Sequence, residues 1–374
     1  MRIGITCYPT YGGSGVVATE LGKKLAEQGH EIHFISYALP YRLSNFTKNI
    51  FFHEVDVLQY PLFEYPPYSL SLASKMVEVI EFYKLDLLHV HYAIPHATSA
   101  YLARQMLEQN DFKFITTLHG TDITLLGSDP SFFKITKFSI EKSSAVTAVS
   151  HYLKTETKKV FNLQKEIEVI PNFIPFHISM PLQKIDLRRQ FALEDESIIT
   201  HISNFRPLKR VTDIIPIIKK VLNHHKVKVL MVGDGPDRYL AEEQCRNEGI
   251  CDQIIFLGKQ ENIQDILAIT DIGLYPSASE SFGLAALESM AYGIPIVTSN
   301  AGGLPEVNQN SISGYTIAVG DIDGFADALL TLLKDKELAK SMGKNGANIA
   351  KNNFAPEKII PQYINYYKKI ISEK

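Results

Sequence analysis

Short runs of nearly continuous apolar residues alternate with longer amphipathic stretches along most of the chain. Residues 2–7, 31–36, 86–90, 114–118, 145–149 and 167–170 have the length and density of buried strands. Residues 16–28, 69–83 and 97–109 carry the three-to-four spacing of helices between several of them. Strands without a polar face, separated by helices, predict a parallel sheet covered on both sides. Pro171-Asn172-Phe173-Ile174-Pro175 then breaks regular structure. Beyond it the pattern restarts, with strands expected at 198–202, 228–232, 253–257, 271–274 and 295–298. The fold class is therefore α/β, with two units in series: 1–170 and 171–355. Residues 356–374 form a terminal helix rich in isoleucine and tyrosine, free to pack on either unit, the N-terminal one included.

Composition narrows the function classes. A chain of 374 residues is long enough for two cores. Its net charge of −3 argues against a general nucleic-acid binder. No run of about 18 apolar residues occurs, so no membrane span and no stable membrane association are expected. The N-terminal apolar run is short and meets glycine and proline at once, unlike a signal peptide. Cys7, Cys245 and Cys251 form no CxxC pair, and an odd number makes a poor disulfide framework. Reduced thiols in a cytoplasmic protein are expected.

Candidate chemistry gathers where strands end. Gly12-Gly13-Ser14-Gly15 follows the first strand and opens the first helix. Glycines admit close backbone approach, and a helix start offers free N–H groups to a diphosphate or carboxylate. A tight turn accounts for the same residues. The spacing is not GxGxxG, and no acidic residue completes a ribose site after the second strand, which argues against a nicotinamide enzyme. Thr117-Leu118-His119-Gly120-Thr121-Asp122 ends another strand, as do His89-Val90-His91-Tyr92 and Ser150-His151. Open α/β sheets bind ligands at such ends. No HExxH or comparable spacing appears among the histidines, so no metal site is expected. Arg206, Lys209 and Arg210 place three cations in five residues after the first strand of the second unit. They could grip a leaving diphosphate or simply form a solvated face. Gly233-Asp234-Gly235-Pro236 is a further strand–helix turn at that edge.

Glu280 and Glu288 are separated by eight positions, with Gly283 between them. One continuous helix would hold their carboxylates about 12 Å apart along its axis. That exceeds the roughly 5 Å of a retaining glycosidase pair. Glu280 is therefore expected in a loop and Glu288 in the following helix, touching different parts of one ligand. The helix start near Phe282–Leu284 would face phosphates.

This last segment resembles the E-x7-E motif of the family 4 retaining glycosyltransferases of the GT-B fold. The Gly-Gly loop, Arg206 and Lys209, Gly233–Pro236 and Gly302-Gly303-Leu304-Pro305-Glu306 are similar to its other landmarks. The resemblance covers essentially the whole chain and implies two Rossmann-like domains facing each other across a cleft, the first for acceptor and the second for nucleotide sugar. It implies a donor diphosphate held by Gly13, Arg206, Lys209 and Gly233, ribose hydroxyls on Glu288, and uracil against the backbone of Leu257. Glu280 and His119 would contact the donor sugar, with the backbone of Phe282, Gly283 and Leu284 near the phosphates. His119, Glu280, Arg206 and Lys209 would carry the catalysis. Residues 8–17, 89–96, 119–122 and 204–210 look most like members that use UDP-N-acetylglucosamine as donor and L-malate as acceptor. Malate would then meet Ser14, Tyr92, Thr117, Ser150 and Arg206. Retention of configuration and independence from any cofactor or metal are implied as well.

Three other readings compete. A lipid-directed member of the family would need a basic surface, for which Lys154, Lys158, Lys159 and Lys165 are the candidates. A UDP-N-acetylglucosamine 2-epimerase shares the two-domain plan. A non-catalytic nucleotide-sugar sensor would have no use for Glu280 or His119. The oligomeric state is left open, a homodimer being the common default.

Overall fold

The six apolar runs of the first half become strands and Ile50–Glu54 adds a seventh, all parallel: β1 (Arg2–Thr6), β2 (Glu31–Ser36), β3 (Ile50–Glu54), β4 (Leu87–His91), β5 (Phe114–Leu118), β6 (Ala145–Ala148) and β7 (Glu168–Val169). Their order is β3-β2-β1-β4-β5-β6-β7. In the computed structural model, residues 1–374 are described except 11, 44–45, 59–61, 63, 109–110, 126, 128, 175–183 and 374. The expected helix end at 109 and the last linker residue, 175, lie outside the described residues. β1, β4, β5 and β6 are buried almost throughout, as strands covered on both faces must be.

A second parallel sheet follows, made of β8 (Ser197–Ile202), β9 (Val227–Val232), β10 (Ile254–Gly258), β11 (Ile272–Tyr275), β12 (Ile296–Ser299) and β13 (Gly314–Ile317). Its order is β10-β9-β8-β11-β12-β13. In each sheet the order reverses beside the first strand, between β1 and β4 and between β8 and β11. Those switch points are where open α/β sheets bind ligands.

The chain divides into two compact units, Met1–Pro175 with Pro356–Lys374, and Phe176–Ala355. The terminal helix Pro356–Ser372 buries Ile359, Ile360, Tyr363, Ile364, Tyr367 and Ile370. These join Ile3, Ile5, Leu21 and Phe34 in the core of the first unit. The helical spacing of those side chains presents one apolar stripe to the sheet.

The structure corrects the expectation for two of the three cysteines. Cys245 and Cys251 are joined by a disulfide. Helix Arg238–Glu248 ends at Gly249, whose φ of 70° turns the chain back. That reversal brings the two Cα atoms to 5.2 Å, within reach of a disulfide. Cys7 is a buried free thiol, and burial pushes its pKa up to about 12. Among the described residues, no helix is long and apolar enough to cross a membrane.

Candidate active site

At the carboxyl edge of the first sheet, the loop after β1 runs into helix Gly13–Glu27, whose N-cap Gly12 makes no side-chain capping bond. Gly13 is exposed and Ser14 half-buried at its start. Gly15 is the sterically required glycine, because a Cβ there would lie 2.6 Å from the carbonyl of Tyr8. Tyr92, just past β4, donates its hydroxyl to Ser14 Oγ at 2.8 Å. The Tyr92 ring also lies 5.2 Å from that of His119. The structure thus brings Gly13, Ser14, Tyr92 and His119 to one edge.

His119 is held from two directions. His91 Nδ1 lies 2.8 Å from His119 Nε2, with the rings stacked at 5.1 Å. Asp122 reaches back to the backbone N–H groups of Gly120 at 3.0 Å and His119 at 3.4 Å, and accepts a third bond from Ala93 N–H at 3.0 Å. Asp122 therefore pins the loop after β5 to the segment after β4. Burial pushes its carboxyl up to about 6 against the pull of those N–H groups. Burial, with a smaller repulsion from His96, pulls His119 down to about 3, so its ring is neutral near pH 7 and offers a hydrogen bond rather than a charge.

Thr117 and Ser150, expected to offer hydroxyl and N–H groups to the acceptor, already engage their hydroxyls within the protein. The Thr117 hydroxyl is buried between His89 Nε2 and Thr147 Oγ1, both at 2.6 Å. His89 Nδ1 in turn meets the hydroxyl of Tyr367 at 2.6 Å, which ties the terminal helix to the centre of the sheet. Ser150 is buried, and its hydroxyl caps helix His151–Phe161 by accepting from Leu153 N–H. Backbone groups near these two positions are further candidate contacts.

In the second unit, the loop after β8 carries exposed Arg206 into the 3-10 turn Pro207–Lys209. The Lys209 ammonium is ion-paired with the carboxylate of Glu280, both side chains being mostly buried. Ser277 Oγ donates to the same carboxylate at 3.1 Å, and the Glu280 carbonyl accepts from Gly303 N–H at 2.7 Å. Glu280 sits in the loop after β11, and Glu288 is half-buried in helix Leu284–Ala291. That helix begins after Gly283 without a side-chain cap, so its first N–H groups and dipole are directed at the same edge. Phe282 is buried against Phe354, which leaves its backbone as its available part. Gly233 N–H bonds to the Gly258 carbonyl at 2.8 Å. The Leu257 carbonyl accepts from the side-chain amide of Gln260 at 2.7 Å. Arg206, Lys209, Gly233, Glu280, Gly283, Leu284 and Glu288 therefore share the carboxyl edge of one sheet.

Three further residues, of which only Ser277 lay outside the strand-end motifs read from the sequence, complete both edges. His91 orients His119, Asp122 locks two loops, and Ser277 holds Glu280. The alternation of His89 and His91 along β4 was the available signal for the first. Among the described residues, no three His, Cys, Asp or Glu side chains gather in a way that could hold a metal ion.

Comparison with known proteins defines the class. The model for glycosyltransferase family 4 matches residues 11–177, and that for group 1 glycosyl transferases matches residues 183–349. The N-acetyl-alpha-D-glucosaminyl L-malate synthase of Bacillus anthracis is 49% identical over 374 residues, covering 100% of this chain and 98% of that protein. A glycosyltransferase of Methanocaldococcus jannaschii is 26% identical over 373 residues, 96% of this chain and 94% of its own. Among solved structures, HepE of Anabaena in complex with UDP and glucose matches with a TM-score of 0.83 at 19% identity, over 98% and 99% of the two chains. Sucrose-phosphate synthase of Thermosynechococcus elongatus matches at 0.82 and 21%, over 100% and 99%. The chain belongs to the family 4 glycosyltransferases and has the GT-B fold.

Proposed function

We propose that this glycosyltransferase moves N-acetylglucosamine from UDP-N-acetylglucosamine to the hydroxyl of L-malate with retention, giving the α-glycoside that opens bacillithiol biosynthesis. The observation that carries the substrate choice is the 49% identity, over the full chain, to a protein named for that product. The reading places the enzyme in the cytoplasm with its nucleotide-sugar donor.

The second unit is read as the donor side. Arg206 and Lys209 neutralise the diphosphate, aided by the uncapped start of helix Leu284–Ala291. Glu288 takes the ribose, the Leu257 backbone the uracil, and Glu280 the sugar. On the first unit, Gly13 adds N–H groups to the phosphates and His119 hydrogen-bonds the sugar near the reacting carbon. Ser14, Tyr92 and the backbone around Thr117 and Ser150 take the malate, with Arg206 adding charge.

The reaction follows as a front-face displacement. The malate hydroxyl oxygen bonds to C1 as the bond from C1 to the β-phosphate oxygen breaks on the same face. The hydroxyl proton passes to the departing phosphate oxygen, releasing UDP. The charge that builds on UDP is met by Arg206, Lys209 and helix dipoles, so the step calls for no metal ion.

The basic residues required by a lipid-directed reading are occupied. Lys154 and Lys158 both pair with Glu166, Lys159 pairs with Glu156, and Lys165 donates to the carbonyls of Glu141 and Ser143. Glu156 and Glu166 offset half of the charge of these four lysines, which weakens, without cancelling, attraction to anionic lipid. Mass spectrometry of the purified protein with UDP-N-acetylglucosamine, with and without L-malate, tests the function. A malate-dependent product carrying one N-acetylhexosamine is expected, together with UDP. Donor consumption that ignores malate would move the protein to the epimerase reading.

A further inference from the structure

Beneath the loop that carries Arg206 and Lys209 lies His201, fully buried in β8. Its Nδ1 is 2.8 Å from the carbonyl of Leu274 in β11, and its Nε2 is 2.7 Å from Ser203 Oγ. A carbonyl only accepts, so Nδ1 carries the proton. Nε2 must then accept from the Ser203 hydroxyl, whose oxygen is left to accept from Phe205 N–H at 3.3 Å. Burial pulls His201 down to about 4, which keeps that tautomer neutral near pH 7.

The backbone held this way is one that needs holding. Phe205 has a φ of 38°, a conformation that a bulky residue rarely adopts. The loop is also pressed against the turn after β9. A Cβ on Gly233, itself at φ 120°, would sit 1.7 Å from the Ser203 carbonyl oxygen. Asp237 N–H bonds to the Phe205 carbonyl at 3.0 Å. Arg206 is the next residue, and Lys209 closes the following turn. Leu274 lies on the strand that leads to Glu280, so one imidazole joins the two strands flanking the switch point.

We propose that His201 is a positioning residue, which through Ser203 sets the backbone at 203–206 and so aims Arg206 and Lys209 at the donor diphosphate. This rests on the reading of those two cations as diphosphate ligands.

The test is calorimetric titration of the full-length protein with UDP and with uridine, which has no phosphates. The variants are His201→Ala, His201→Asn, His201→Gln, Ser203→Ala and Arg206→Ala. Arg206→Ala and His201→Ala are each expected to weaken UDP by about tenfold while uridine affinity stays within about twofold. Glutamine places an acceptor where Nε2 stood and regains most of the loss. Asparagine keeps only the donor toward Leu274 and does not. If His201→Ala fails to fold, Ser203→Ala, which leaves the ring in place, carries the same expected loss. UDP affinity unchanged in His201→Ala and Ser203→Ala, but reduced in Arg206→Ala, overturns the positioning role and spares the diphosphate reading. Equal loss of UDP and uridine affinity assigns His201 to stability alone and also overturns it. Unchanged UDP affinity in Arg206→Ala removes the reading on which the proposal stands.

Discussion

Lys209 and Glu280 hold opposite charges in contact, so on the proposed roles of the two residues binding and turnover can be measured apart. Replacing Glu280 by alanine leaves the ammonium free for phosphate, so UDP affinity should not fall, while the contact to the transferred sugar is lost. Glu280→Ala and His119→Ala are each expected to lower turnover by more than about tenfold, roughly 1.4 kcal/mol, with UDP still bound. Steady-state rates alongside UDP titrations check this, and full turnover in both variants would remove the catalytic assignment. Glu280, Lys209 and Arg206 were legible in the sequence because charged residues just past an apolar strand fall at the sheet edge where ligands bind. Thr117 and Ser150 were less so. A hydroxyl at a strand end serves equally well as a ligand contact, a relay to a neighbouring strand or a helix cap, and these two are a relay and a cap. His201 was invisible, since one histidine within SIITHI reads as part of a buried strand.

At the scale of elements, the central strands and the edge strands β7 and β10 could be read, and the other two edge strands could not. β3 and β13 lie at sheet edges, are short, and are partly exposed, so neither shows an unbroken apolar run. The terminal helix was recognisable from its apolar stripe, but the stripe does not say which sheet it covers. The polar contact Tyr367–His89 distinguishes its true partner. Tyr367→Phe keeps the packing and removes that bond, leaving a buried ring nitrogen unsatisfied. A loss of about 1–3 kcal/mol in stability is expected by chemical denaturation. An unchanged midpoint would mean that apolar packing alone fixes the helix.

The whole molecule carries a pH dependence set by its buried imidazoles. Burial lowers His89 and His119 to about 3 and His96 and His201 to about 4, and it lowers His91 well below its ordinary value. Below the ordinary value of 6.5 the unfolded chain therefore binds protons that the folded one refuses. Stability from these groups is present above pH 6.5 and is lost as pH falls, each contributing up to about 1.4 kcal/mol per pH unit. Asp122, raised to about 6, acts in the opposite sense, since its contribution is lost as pH rises through that value. With more histidines than raised carboxyls, the denaturation midpoint should drop between about pH 7.5 and pH 5. A flat profile would contradict the buried, neutral state of the imidazole cluster. The central claim, transfer to malate with retention, is most directly tested by proton NMR of the product made from UDP-N-acetylglucosamine and L-malate. The account predicts a malate glycoside with the small anomeric coupling of the α configuration. A large coupling, or no glycoside of malate at all, would contradict it.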